Sequence, residues 1–244
     1  MKRIAYLSLA ALALLSLPSC RFVHVSDELN ERAIEEGFSF SGEAAGERIT
    51  ASDNYITREE TTGEFHAITC NLPGDVIYTP GECAVSIYAP DNVLELVTVR
   101  NENGTLQIKS NASRIRNLKK ITINVSSPVL EDLNFNGAVD FKAPQGITAL
   151  DFNAVVNGAG DIDIKGLTAD NASLVVNGAG DATISQLDCE SISVAINGAG
   201  DAVLSGRANY AGLSISGAGD IDARKLECSN IDSKVRGVGS IRKP

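Results

Sequence analysis

The sequence has no tryptophan, one methionine, two histidines and only 5% aromatic residues. Few rings mean few stacking platforms for sugars or bases. The histidines, His24 and His66, stand far apart in the chain, and each reads as incidental rather than as a general acid or base. Positive charge is also scarce: 21 Lys plus Arg face 31 Asp plus Glu, a net charge of -10. Such a surface repels nucleic acid, which is excluded as a partner. No Cys/His zinc spacing, phosphate-cradling glycine loop or Gly-x-Ser-x-Gly elbow occurs. Nothing indicates a cofactor or a catalytic constellation.

Residues 1–20 have the pattern of an export leader. Lys2 and Arg3 precede an apolar run from Ile4 to Leu17 that ends in Leu17-Pro18-Ser19-Cys20, too short for a comfortable membrane span. The end of this run resembles a bacterial lipobox, with Pro18 an unusual member, and the resemblance implies that Cys20 becomes the lipidated first residue. Membrane contact is then expected only through that lipid. Residues 21–42 are mixed and acidic and read as a tether. The rest, 43–244, is expected to be one domain.

Within that domain Asn157-Gly158-Ala159-Gly160-Asp161 returns as Asn177-Gly178-Ala179-Gly180-Asp181 and Asn197-Gly198-Ala199-Gly200-Asp201. Looser copies begin at Asn136-Gly137 and at Ser216, the latter with Gly217 and Gly219, and a last copy runs from Arg236 to Ser240. A period near 20 residues marks stacked supersecondary units. Alternating apolar residues enter and leave each copy, for example Leu174 and Val176 before it and Ala182 and Ile184 after it. Leu167, Leu187 and Leu226 add a third inward position. Period 2 on both sides of a glycine corner predicts an all-β, right-handed parallel β-helix. Residues 43–129 carry strand and turn signals without alignable repeats, so irregular coils or a cap are expected there, with regular coils from 130 to 244.

A corner needs residues that tolerate unusual backbone angles, which accounts for the glycines. The asparagines would enter left-handed conformations readily, and their amides would bond to the Asn of the next coil along the stack. Asp140, Asp161, Asp181, Asp201 and Asp220 would form a column of carboxylates ~4.8 Å apart. Three arrangements relieve their repulsion: turning onto N–H groups of their own corner, fanning into water, or sharing a hard cation such as calcium. The first is the expectation; Asp163 and Asp222 add a second carboxylate in only two coils.

Cys70 and Cys83 flank Pro80-Gly81 and are disulfide candidates. Cys189 and Cys228 share a phase two coils apart, with Asn209 between them, about 9.6 Å at ~4.8 Å per coil and beyond the ~7 Å reach of a bridge. They are expected to be unpaired, buried structural cysteines.

The corner series, together with Gly-Glu-Phe-His-Ala-Ile from Gly63, Gly-Asp-Val-Ile-Tyr-Thr-Pro-Gly-Glu from Gly74, Ala-Pro-Asp-Asn-Val-Leu from Ala89 and Asn-Gly-Thr-Leu-Gln-Ile from Asn103, resembles the GIN domain family. That family is described as autotransporter-adhesin-like heads, frequent in exported lipoproteins of Bacteroidetes. The resemblance spans Gly63 to Arg242, implies a β-helix, and brings no catalytic residues. The last copy has lost both Asn and Asp, as a terminal cap would. The expected function is a non-enzymatic, lipid-anchored cell-envelope protein that presents a β-helical surface to an envelope protein or a glycan. A polysaccharide-processing enzyme using surface carboxylates and a calcium-stabilised module are the alternatives.

Overall fold

The computed structural model describes residues 47–244. The leader, Cys20, the tether and His24 lie outside the described residues. Every long element is a strand, as the period-2 pattern requires. The regular part comprises β10 (Asp132–Ala143), β11 (Ile147–Thr148), β12 (Asp151–Ala159), β13 (Ile162–Ile164), β14 (Leu167–Ala179), β15 (Ala182–Ala199) and β16 (Ala202–Arg242). All pair in parallel with the coil before or after them. Register places like on like: Asn136 lies beside Asn157, Asn157 beside Asn177 and Asn177 beside Asn197.

Identical phases therefore become ladders in the interior. Phe135, Val156, Val176, Ile196 and Ile215 form one; Phe141, Ile162, Ala182, Ala202 and Ile221 form another, all fully buried. Phe135 and Phe141 lie 5.6 Å apart, centroid to centroid, and are buried inside the β10 coil. Each inward side chain removes its apolar surface from water, worth about 1.5–3 kcal/mol for a large aliphatic or aromatic residue.

Residues 47–129 reach the same core differently. β3 (Ala67–Cys70) and β4 (Gly74–Pro80) pair in parallel with β10 and form the coil beneath it. β7 (Thr105–Ser110) and β9 (Thr122–Ser127) pair in parallel with β3 and β4 from the far side. Stack order thus inverts chain order. Antiparallel strands then close that end: β6 (Val97–Glu102) on β7, β5 (Ala84–Pro90) on β9, and β2 (Tyr55–Glu60) on β5. A separate parallel pair joins β1 (Glu47–Thr50) to β8 (Ala112–Arg116).

Two local readings change. Within the strand and turn signals of 43–129, Asp91–Leu94 form the short helix α1, and the next strand begins at Val97. The Asp91 carboxylate accepts from the Ser52 hydroxyl, the Asn54 amide at 2.7 Å and the Asn92 N–H at 2.7 Å, which favours a turn of helix over extension. The β15–β16 register shifts between Ile184 and Leu187, so Ala208 and not Asn209 continues the ladder from Cys189. The coil here is one residue shorter, and counting at a fixed spacing missed it.

All four cysteines of the described residues are free; Cys189 is buried as expected, whereas Cys228, nearer the open end of the stack, is only partly so. Cys70 is buried at the end of β3 while Cys83 sits on the β4–β5 turn, so the proposed bridge does not form. Burial pushes the Cys70 thiol up to about 11.

Candidate functional site

The repetition of the corner column invites a ligand reading. Gly158, Gly178, Gly198, Gly217 and Gly237 all have positive φ, between 134° and 147°, and each needs the missing side chain a second time. A Cβ on Gly178 would stand 2.0 Å from the Gly158 carbonyl oxygen. Gly160, Gly180 and Gly200 lack that positive φ, yet a Cβ on them would meet the preceding coil at 2.0–2.1 Å. Their reason is close stacking rather than conformation.

The asparagines are not left-handed; among the described residues only Asn103, Asn117 and Gln186 are non-glycine residues with positive φ. They form an amide ladder instead. Asn157 donates to Asn136 at 3.1 Å, Asn177 to Asn157 at 2.9 Å and Asn197 to Asn177 at 2.9 Å. Asn136 in turn donates to Asn71 at 2.8 Å.

The aspartates do not cap their own corners. Each Oδ1 accepts the backbone N–H of the next coil: Asp140 from Asp161 at 3.0 Å, Asp161 from Asp181 at 2.9 Å, Asp181 from Asp201 at 2.8 Å and Asp201 from Asp220 at 2.8 Å. Asp220 closes the series by accepting the Ser240 N–H at 2.7 Å and its hydroxyl at 2.9 Å, with Arg242 at 3.3 Å. The Ser240 bonds hold the Asp220 carboxyl below the usual carboxylate range. Charge-assisted bonds to N–H groups offset the repulsion along the column. Among the described residues no three His, Cys, Asp or Glu converge on a metal-sized point.

One corner was missed. Asn71 and Asp75 have the same spacing as Asn157 and Asp161, and they pair with Asn136 and Asp140 in the stack. The signal was there in Gly74-Asp75 followed by inward Val76, but a long excursion before the next copy hides the period.

A concave feature lies elsewhere, on the third corner of the coils. Thr168-Ala169-Asp170, Asp188-Cys189-Glu190, Arg207-Ala208-Asn209 and Glu227-Cys228-Ser229 stack there beneath Ala149 and line a groove of about 680 Å³. The middle residue of each triad is small, so the floor is recessed and the flanking polar residues form two rims. Arg207 holds Asp188 bidentately, at 2.8 Å from Nε and 2.6 Å from a terminal nitrogen. That contact keeps the Asp188 carboxyl below its ordinary range. On the other rim the Asn209 amide donates to Glu190. Burial, with the Asp188 charge second, raises the Cys189 thiol to about 11, so it stays a thiol rather than a nucleophilic thiolate. His66 stands apart, 3.9 Å from Glu131 and half exposed.

The comparisons agree with this architecture. The family model described as "Putative auto-transporter adhesin, head GIN domain" matches residues 64–185 and again 156–242. The overlap follows from the repeat, since one series of coils can be laid on another. A crystal structure described as a "putative adhesin", from Bacteroides fragilis, superposes with a TM-score of 0.67 at 24% identity, covering 80% of this chain and 100% of its own. A "putative adhesin" from Parabacteroides merdae gives 0.54 at 15%, covering 81% and 99%. A "putative lipid binding protein" from Parabacteroides distasonis gives 0.50 at 20%, covering 81% and 100%. At these identities the likeness is one of fold. No curated protein matches.

Proposed function

Because the chain belongs to the family of auto-transporter adhesin head GIN domains, we propose that it is a non-enzymatic, exported binding protein of the cell envelope, lipid-anchored through Cys20, with the third-corner groove as its contact face. The observation that carries this reading is the state of the groove's rims. Arg207 and Asn209 already satisfy Asp188 and Glu190, and Asp188 is held in its charged form. A general acid for glycoside cleavage needs the opposite, a carboxyl kept protonated. A rim whose hydrogen bonds are already in place suits recognition, since part of the side-chain ordering precedes contact.

The test is capture from envelope extract with the purified chain, run beside glycan depolymerisation assays. Retention of a specific envelope component without depolymerisation is the expected result. Cleavage of any tested glycan would overturn the reading. Replacing Cys20 by Ala should move the exported protein from the membrane to the soluble fraction; retention on the membrane would remove the lipid anchor from the proposal.

A further inference from the structure

We propose that the third-corner groove is a saccharide subsite for an uncharged, hydroxyl-rich glycan chain lying along the stacking axis, with one sugar residue per coil. The inference rests on the binding reading above and adds the class of ligand.

Three observations lead to it. The rims offer donors and acceptors together: the Arg207 guanidinium and the Asn209 amide stand among the carboxylates of Asp170, Asp188 and Glu190. A sugar hydroxyl donates and accepts at once and can use both kinds. An anionic ligand would face four carboxylates, those of Asp170, Asp188, Glu190 and Glu227, against the single Arg207. The floor is small and shallow: Ala169, Cys189 and Ala208 keep their side chains low and nearly covered, so the volume of about 680 Å³ is open to a ligand and falls in the usual range for ligand sites.

Spacing supplies the third argument. Each coil advances ~4.8 Å along the groove, whereas an extended peptide advances ~3.3 Å per residue and drifts out of phase within two coils. The residue length of an extended pyranose chain is close to the coil step, so successive sugars meet successive rim triads. The bidentate Arg207–Asp188 pair and the Asn209–Glu190 bond fix the rim geometry before any ligand arrives.

The experiment titrates the full chain with neutral β-linked gluco-oligosaccharides from the monomer upward, by calorimetry and by NMR. Affinity should rise with each added residue and level off near four, the number of triads lining the groove. Amide shifts should concentrate on those triads, a readout that needs no variant. The double variant Arg207→Ala, Asn209→Ala should weaken binding about tenfold or more, through the loss of hydrogen bonds including one from a charged donor. Val203→Ser, on another face, should leave it unchanged. Added salt should have little effect, since the ligand is uncharged.

Affinity independent of chain length, shifts on a different face, or salt-sensitive binding of polylysine in the groove would each overturn the proposal. Failure to bind any oligosaccharide while an envelope protein is retained would overturn the saccharide subsite and leave the binding function standing. Oligosaccharide binding in the groove with no envelope component retained would separate the two in the other direction.

Discussion

In residues 130–244 each coil pairs with the next one in the chain and in parallel, whereas residues 47–129 build on the same core out of chain order and partly antiparallel. Both regions use the same corner: Asn71 and Asp75 in the second match Asn136 and Asp140 in the first. Corner chemistry therefore does not require a regular period. What regularity adds is continuity: the carboxylate-to-N–H series runs through the regular coils from Asp140 to Asp220, while the amide ladder reaches one step beyond them, to Asn71. What irregularity adds is closure. The antiparallel strands cover an end where a parallel coil would expose a row of unpaired backbone groups. At the other end, Gly237 and Gly239 still stack on Gly217 and Gly219, yet Val235 is 41% exposed where its counterpart Ile215 is 1%.

The strongest way to break this comparison is at the junction. Phe135 and Phe141 fill the coil between the two regions. Phe135→Ala should cost about 4 kcal/mol through lost burial and the cavity left behind. If the regions fold as one unit, urea melts followed by probes in each should shift together; a shift in only one would divide them.

Glycine substitutions sharpen the contrast. Gly178→Ala should cost about 3 kcal/mol, from a strained φ and a collision with backbone that cannot move aside. Gly81→Ala, on a turn with its nearest neighbour 3.9 Å away, should change stability by no more than about 0.5 kcal/mol. Equal effects in a denaturation assay would contradict the steric account.

Asn177→Ala removes both a donor and an acceptor from the middle of the amide ladder, and about 1 kcal/mol should be lost. Asn71→Ala, at the ladder's end, removes one bond and should cost less. The reverse order would mean that the ladder does not act as a chain.

Acid should act on the last coils through Asp220. The Ser240 bonds lower its folded pKa, so its contribution is full above the ordinary carboxylate range of about 4 and is lost as pH falls through the lower folded value. Hydrogen exchange near residues 220–242 should quicken in that window, and Asp220→Asn should flatten the dependence. No difference between variant and parent would remove this role. The smallest effect tests register: Ala208→Cys should form a bridge to Cys189 or Cys228 under oxidation, whereas Asn209→Cys should not.

Much of this was legible in the chain. The inward positions followed from alternation alone, as Leu174, Val176, Ala182 and Ile184 illustrate, because a half-buried strand imposes a period of two. The amide ladder was foreseen from stacked asparagines. The place of the shortening, Leu204–Gly206 against Ile184–Leu187, was not, since one residue lost at a corner leaves the apolar pattern intact. The partner of each aspartate was also hidden: an Asx turn and a bond to the next coil use the same residue type at the same position. The groove left no motif, since Ala169, Cys189, Ala208 and Cys228 read as ordinary small core residues.

By itself, then, the sequence determined that the chain would coil, with glycine corners and like residues stacked, because periodicity and backbone sterics are local and repeat with the letters. Only the tertiary structure decided which coil precedes which, that β7 and β9 stack ahead of β3 and β4, that Gly160 is needed for space, and that four separate triads make one groove. Those outcomes depend on distances between residues far apart in the chain, and pairing energies of similar size are available to many of them until the whole stack selects one register.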